Sequence, residues 1–367
     1  MAEGFATRWQ KRRSERRAHK KIAMFGNAKQ AGLGMGREQL KAGVEGTLRK
    51  HFPTKPVRGG SAYVEINLTH NLDQLAEAKE RTMREDPPEI VVLFGGDGTT
   101  QKTLGEDPDF LRYLTADPEY APEIVVIGGG TKNVVPTALK LLGDDPIQAL
   151  DAICQKIERG IPREVRPCPI LKINDRHGFI YGSGLVVNAL DEYYRHEAGR
   201  WRATKAGVSI VWRETLGRLS PWRRPSIFRR FGAEISSRGA DGAEERVGLP
   251  SYNGVIASSL REIHSLLKVT HRAGKRLSCF HAICHNNGFW RSALNLPGFI
   301  NQDFPLLGSV SEFVTDRMVI RYDQPMRHTI DGEVYDSTEK LGRAGLSESG
   351  EEVVVIETGP YIKFIVA

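Results

Sequence analysis

Residues 89–105 read EIVVLFGGDGTTQKTLG, and this stretch predicts the fold of the N-terminal part of the chain. The run from Ile90 to Phe94 is continuously apolar, as expected of a parallel strand that is buried on both faces. Two glycines follow the run directly, and a stretch that can form a helix comes next. A strand, a glycine turn and a helix in this order form the repeating unit of α/β sheets.

The same plan occurs in two other segments of the first half. KKIAMFGNAKQAGLGMGREQLKAGVEGTL begins at Lys20, and EIVVIGGGTKNVVPTALKLLG begins at Glu123. Between Lys20 and Ile90, SAYVEINLTH predicts a further strand and LDQLAEAKERTM a helix. We therefore predict a doubly wound α/β domain over residues 21–165. A basic arm, residues 1–20, precedes it and is expected to be disordered.

The pattern changes after about Arg166. LKINDRHGFIYGSGLVV predicts two strands joined by a polar turn, and SEFVTDRMVIRY, RHTIDGEVYD and EEVVVIE alternate like antiparallel strands. Helical patches near residues 201–219 and 259–269 interrupt the strands, and GADGAEER is expected to be an exposed loop. We predict a β-sandwich-like domain over residues 166–367, with a cleft between the domains and a last segment that can return to the first domain.

Composition restricts the class of protein. The 367 residues contain four cysteines, too few and too scattered for a disulfide framework, so a reducing compartment is expected. The N-terminus lacks the apolar segment of a secretory signal, and we expect a cytoplasmic protein. The net charge of +7 is concentrated in residues 12–21 and 195–230, where it favours an anionic partner. No nucleic-acid recognition module accompanies this charge.

Asp97 places a carboxylate inside the glycine turn, and either ligand binding or the geometry of the turn must account for it. Ligands of α/β sheets bind where the strands end, and glycine lets a phosphate approach the backbone closely. A carboxylate beside phosphate is repelled unless a cation intervenes or the carboxylate accepts a proton. The alternative is structural, because Asp-Gly is a common turn pair. The stretch is not a Walker A loop, since Gln101 occupies the position of its second glycine.

The order of several motifs resembles one enzyme family. GGDGT, Gly95 to Thr99, is similar to the nucleotide-binding signature of the diacylglycerol kinase catalytic domain, which sphingosine and ceramide kinases share. NAKQAG, from Asn27, resembles the first loop of that family. GTKNV, from Gly130, resembles its GTxND motif, and Asp331-Gly332-Glu333 matches its DGE motif.

This resemblance implies a lipid kinase that uses ATP and Mg²⁺ and phosphorylates a lipid hydroxyl in the cleft between the domains. Asp97 is then a catalytic residue and the metal ligand, and Glu333 accepts the proton of the hydroxyl. The residues implied in binding the nucleotide are Asn27, Lys29, Gly95, Gly96, Gly98, Thr99, Gly130, Thr131 and Asn133. For Glu333 there is also a structural interpretation, because Asp331-Gly332 is an ideal hairpin turn with an acidic neighbour.

Two departures from the family pattern keep other functions open. Val134 stands where the family has an acidic residue, and the segment LNLPGFINQDFPLLGSVSEF lacks the family's acidic cluster, with Asp303 as the nearest candidate. An NAD kinase, which shares GGDGT, is one alternative. A non-catalytic regulator that binds lipid or nucleotide on the same fold is the other.

Two further segments have competing interpretations. CFHAICH, residues 279–285, has thiols and imidazoles, but its spacing fits no standard zinc site, and core cysteines with surface histidines are favoured. If residues 201–219 are helical, an apolar stripe lies beside arginines. Such a helix either lies on an anionic membrane or packs on the β domain. The stripe consists of Trp201, Val208, Val211, Trp212, Leu216 and Leu219. We predict peripheral membrane association through the basic segments.

Overall fold

The computed structural model describes residues 20–27, 37–57, 62–95, 100, 103–104, 108–115, 121–128, 134–139, 145–196, 202–215, 226–239, 242–262, 269–295, 308–336 and 352–366. The chain divides into two compact units. The first comprises residues 1–168 and 361–367, and the second comprises residues 169–360. Within the described ranges, no helix is both long enough and apolar enough to span a membrane.

The first unit is built on a parallel sheet. Its strands are β1 (Lys20–Asn27), β2 (Ala62–Thr69), β3 (Ile90–Gly95) and β4 (Glu123–Gly128). Its helices are α1 (Arg37–His51), α2 (Leu72–Glu85), α3 (Pro108–Leu114), α4 (Val134–Ala138) and α5 (Pro146–Glu158). The strand order is β2-β1-β3-β4, and the end of the last strand, β16 (Glu352–Val366), runs parallel to β4. The predicted alternation of strands and helices is therefore present.

The core of the first unit explains why these segments form strands. Met24, Val92 and Ile127 are almost fully buried together with apolar residues of α1 and α5.

The first turns of two helices are stabilised by polar side chains that precede them. The side chain of Asn71 accepts a hydrogen bond from the backbone N–H of Gln74, and that of Asp145 accepts from two backbone N–H groups in the first turn of α5. Short polar residues before the first turn stabilise a helix in this way, typically by about 1 kcal/mol.

Two basic residues of the first unit serve its packing. Lys21, which the charge pattern grouped with residues that could face phosphate, is buried in β1 and pairs with Glu65 at 2.7 Å. That part of the expectation was wrong, because a buried ammonium that is already paired is not available to a ligand. His51 likewise joins α1 to α5 through Asp151 and Glu158, each at 2.8 Å.

The second unit consists mainly of antiparallel strands. They are β5 (Glu164–Ile173), which begins in the first unit, β6 (Arg176–Gly178), β7 (Ile180–Gly184), β8 (Ala233–Arg238), β9 (Glu244–Arg246), β10 (Gly254–Ser258), β11 (Phe280–His285), β12 (Val310–Thr315), β13 (Arg317–Tyr322), β14 (His328–Ile330), β15 (Glu333–Tyr335) and the first part of β16. Its helices are α6 (Leu185–Arg195), α7 (Arg202–Thr215) and α8 (Phe289–Leu294).

These strands form two sheets around one core. One sheet has the order β12-β11-β10-β7-β14-β15, and the other contains β16, β13, β8 and β9. Val255 and Phe280 of the first sheet share a buried cluster with Ile235 and Ile320 of the second. Two sheets that bury their inner faces against each other correspond to the predicted sandwich-like architecture.

Three local expectations for the second unit were wrong. The chain turns into α6 at Leu185, where LVV had been predicted to continue a strand. CFHAICH lies largely in strand β11, and both His281 and His285 are buried instead of lying at the surface. Residues 259–262 are not helical, and residues 263–268 lie outside the described part. In GADGAEER, residues 244–246 are exposed as expected but pair with β8 as a short strand.

Candidate functional site

The first candidate site is the edge of the parallel sheet where three strands end. β1 ends at Asn27, β3 at Gly95 and β4 at Gly128. The register pairs Gly26 with Phe94 and Gly95 with Gly128, so neighbouring strands end side by side. The segments that contain NAKQAG, GGDGT and GTKN therefore leave the sheet at one edge, where parallel sheets commonly bind ligands.

The structure describes only part of the residues predicted for this edge. Gly95 is the buried last residue of β3, and the backbone of Asn27 ends β1. The remaining predicted residues lie outside the described residues; they are Lys29, Gly96, Asp97, Gly98, Thr99, Gly130, Thr131 and Asn133, and Asp303 of the second unit is also outside.

Gly26 holds the strand end in place just before NAKQAG. A Cβ atom on Gly26 would lie 3.0 Å from Leu68 and 3.1 Å from the ring of Phe94, so the neighbouring side chains leave no room for a side chain where β1 ends. The hydroxyl of Thr69 donates a hydrogen bond of 3.2 Å to the carbonyl oxygen of Gly26. The end of β1 is thus held by contacts to β2 and β3.

The second candidate site is the acidic hairpin between β14 and β15. Asp331 and Gly332 have φ angles of 50° and 90°, and Ile330 pairs with Glu333 across them. Two residues with positive φ form the type I′ turn that suits antiparallel hairpins. Glu333 is exposed at the start of β15. The DGE motif thus coincides with a hairpin turn, as the structural interpretation predicted.

Asp331 has a structural role within this hairpin. Its Oδ1 accepts hydrogen bonds from the backbone N–H groups of Phe179 at 2.9 Å and Ile180 at 2.8 Å. Gly178 makes this contact possible, because a Cβ there would lie 2.3 Å from Ile330 and 3.0 Å from the Asp331 carboxylate. Of the two acidic residues in DGE, Asp331 holds the turn against β7, and Glu333 is exposed.

A buried polar network lies behind the hairpin, and sequence reasoning missed it. The hydroxyl groups of Tyr181 and Tyr322 are 2.7 Å apart, and Tyr322 donates to Ser183 at 2.8 Å. Glu352 is fully buried and accepts a hydrogen bond from the backbone N–H of Met326 at 2.6 Å. No sequence signal identifies this network, because each member is a single polar residue in an otherwise ordinary strand.

Burial dominates the acid–base properties of this network. Removal from water raises the pKa of Glu352 to about 6, against which the hydrogen bond from Met326 acts. The pKa of Tyr181 is raised well above its ordinary value, mainly by burial and then by the neighbouring Tyr322. These buried groups therefore favour their neutral forms, and the hydrogen bonds among Tyr181, Tyr322 and Ser183 join β7 to β13.

Helix α7 has one face anchored and one face open. The buried carboxylate of Glu214 accepts hydrogen bonds from the backbone N–H of Ile227 at 2.8 Å and from Ser226 at 2.7 Å. By contrast, Val208, Val211 and Trp212 are 63%, 51% and 65% exposed. These three residues, the α7 patch, do not pack on the β domain; Trp201, Leu216 and Leu219 lie outside the described residues.

Among the described residues, no three His, Cys, Asp or Glu side chains are placed to hold a metal ion together. The thiols of Cys154 and Cys284 are buried, and burial is the largest cause of their raised pKa values.

Comparison with known proteins shows what part of the chain resembles. Residues 30–162 match the model of the diacylglycerol kinase catalytic domain, which confirms the resemblance deduced from GGDGT and GTKN. No curated protein matches the chain at the sequence level.

Solved structures agree with this relationship in fold. A diacylglycerol kinase from Bacillus anthracis str. Sterne is 12% identical, with a TM-score of 0.56. Two other structures from that strain, assigned provisionally as diacylglycerol kinases, are 14% and 15% identical, with TM-scores of 0.60 and 0.58. Each alignment covers 95% of this chain and 97% of the other. At such low identity the likeness establishes the fold alone.

Proposed function

We propose that this chain, whose residues 30–162 match the diacylglycerol kinase catalytic domain, is an ATP-dependent lipid kinase that transfers the γ-phosphoryl group to a lipid hydroxyl. The observation that carries this proposal is the common edge at which β1, β3 and β4 end. Three glycine-containing segments follow these strands directly, and together they can offer many backbone N–H groups to one polyphosphate.

The described edge fits a nucleotide phosphate in its chemistry. Its last residues, Asn27, Gly95 and Gly128, bring no carboxylate that would repel phosphate. Asp97 is the acidic residue of the GGDGT segment, and we assign to it the orientation of the phosphates and the binding of Mg²⁺. Bound Mg²⁺ would neutralise charge that develops on the transferred group.

Glu333 is proposed as the group that accepts the proton of the lipid hydroxyl. Its exposure and its fixed place beside a rigid turn support this role, because a general base must reach its substrate in a defined geometry. Asp331, by contrast, is engaged by the amides of Phe179 and Ile180. We therefore assign the chemistry of the DGE motif to Glu333 alone.

The α7 patch is proposed to bring the enzyme to its substrate at a membrane surface. Val208, Val211 and Trp212 recur at helical spacing on the open face, and the exposed Lys205 lies one turn before them. Apolar side chains with an adjacent cation bind the interface of anionic bilayers. This supports a peripheral attachment to lipid surfaces.

The test is a phosphotransfer assay with the purified full-length chain, labelled ATP, Mg²⁺, a panel of lipids that includes diacylglycerol, and NAD. We expect a labelled phospholipid as product. Label in NADP would replace the proposal with an NAD kinase. ATP binding without any labelled product would replace it with a non-catalytic regulator, which the valine at position 134 would then explain.

A further inference from the structure

A basic pocket lies in the second unit beside the start of α6. Its volume is about 300 Å³, at the lower end of the range for small-molecule sites. Three arginines, Arg229, Arg230 and Arg327, line it together with apolar side chains such as Phe231 and Met326. The described residues that line it include no aspartate or glutamate, so its interior attracts anions.

The three arginines differ in their availability. Arg327 forms two hydrogen bonds with the carboxylate of Asp191, at 2.6 and 3.1 Å, and one with Asp336 at 3.0 Å. Its charge is therefore already compensated. Arg229 and Arg230 are exposed and make no ion pair with any other described residue. Two consecutive arginines that line the pocket thus have no carboxylate partner among the described residues.

The N-terminus of α6 adds partial positive charge to that of the arginines. Gly184, which lines the pocket, precedes the helix with a φ of 64°, and no side chain caps the first turn. The first turn also contains no acidic residue. The N–H of Leu185 already donates to the carbonyl oxygen of Asn253 at 2.7 Å, so the helix N-terminus adds only the part of its partial positive charge that no acidic side chain offsets.

The pocket lies away from the acidic hairpin. His328 pairs with Ser183 near the pocket, whereas Ile330 pairs with Tyr181 near the hairpin. α6 runs between the two places, since its C-terminal Tyr194 contacts the carbonyl oxygen of Gly332 at 3.5 Å. Eleven helical residues span about 16 Å. A ligand in the pocket would therefore be separate from Glu333.

We propose that this pocket binds a phosphate group, held by the guanidinium groups of Arg229 and Arg230, with a short apolar substituent against Phe231, Val187 and Met326. Phosphate fits better than a carboxylate, because two planar guanidinium groups offer more donors than two carboxylate oxygens can accept. The phosphate belongs either to a lipid headgroup or to free phosphate. The inference does not depend on the kinase activity proposed above.

The experiment measures binding to the full-length chain by calorimetry, with two probes: inorganic phosphate and dihexanoyl phosphatidate below its micelle concentration. We expect the double variant Arg229→Gln/Arg230→Gln to weaken the binding of both probes by about tenfold or more. The double variant Arg276→Gln/Arg321→Gln removes the same charge from exposed positions outside the pocket. It should bind as the native chain does.

The outcomes decide both the site and the source of the phosphate. Tighter binding of phosphatidate than of phosphate identifies a lipid headgroup, and equal binding identifies free phosphate. If the arginine variant folds poorly, Gln324→Glu places a repelling charge on the exposed rim and should weaken binding instead. Undetectable binding of both probes at millimolar concentration would overturn the proposal, as would binding that neither the arginine variant nor Gln324→Glu weakens.

Discussion

The carboxylate of Asp331 accepts a hydrogen bond of 2.8 Å from the backbone N–H of Ile180, which ties the acidic hairpin to the first residue of β7. Because Asp331 also has a φ of 50°, its replacement removes a charged acceptor from two amides and strains the turn. We expect Asp331→Ala to lower the free energy of unfolding by about 3 kcal/mol. Asp331→Asn keeps an acceptor and tolerates positive φ, so about 1 kcal/mol is expected. Urea denaturation measures both, and equal losses would contradict this explanation.

Replacement of Glu333 should affect turnover and leave stability nearly unchanged, in contrast to replacement of Asp331. Its side chain is exposed, so Glu333→Gln is expected to change the free energy of unfolding by less than about 0.5 kcal/mol. If it accepts the proton of the lipid hydroxyl, kcat should fall by about 100-fold or more with little change in the KM for ATP. The matched control is Glu245→Gln, an exposed carboxylate on β9. Native turnover in Glu333→Gln would remove Glu333 from the mechanism.

Asp97 provides the most direct test of the kinase proposal. Asp97→Ala should abolish transfer of label from ATP to lipid while the thermal unfolding transition stays close to that of the native chain, because the role assigned to Asp97 is electrostatic. Glu77→Ala, an exposed position of α2 in the same unit, serves as the control. Full activity in Asp97→Ala would show that the carboxylate belongs to the turn alone.

The sequence predicted those parts of the fold that depend on local patterns. Ile90–Gly95 is a continuous apolar run, and it forms a strand because both of its faces are buried. The motif order also located the common edge of β1, β3 and β4. α6 was missed because Leu185, Val186 and Val187 favour strands, and the positive φ of Gly184 that ends β7 has no unique sequence signature.

Tertiary contacts account for what the sequence could not reveal at the sites. The role of Asp331 depends on amides about 150 residues earlier in the chain, and the pairing of Lys21 with Glu65 depends on the register of β1 and β2. The pocket beside Arg229 and Arg230 depends on the start of α6 and on residues 324–327, which are distant from the two arginines in sequence. None of these distances is encoded in a motif, because each arises from segments that meet only in the folded chain.

The α7 patch gives a prediction about membranes. Val208→Ser/Trp212→Ser should leave stability within about 0.5 kcal/mol, because both side chains are largely exposed. The double variant should lower binding to vesicles that contain anionic lipid by about tenfold, since it removes the apolar face that would enter the interface. Co-sedimentation measures this effect. Leu277→Ser, an exposed apolar residue elsewhere in the second unit, should bind vesicles as the native chain does. Unchanged binding of the double variant would mean that α7 is not the membrane contact.

Glu352 gives a prediction about pH. Burial raises its pKa from the ordinary 4.5 to about 6, so the folded chain holds this proton more tightly than the unfolded chain. The resulting stabilisation is complete below about pH 4.5 and is lost as the pH rises through about 6, where the buried carboxyl must ionise.

The variant Glu352→Gln tests this, because its side chain stays neutral at every pH. The free energy of unfolding of the variant, minus that of the native chain, should therefore rise by roughly 2 kcal/mol between about pH 4 and about pH 7. Denaturant titrations at both pH values measure the change. A constant difference would mean that Glu352 has the same pKa in the folded and unfolded chains and that its burial beside Tyr181 and Tyr322 does not control its ionisation.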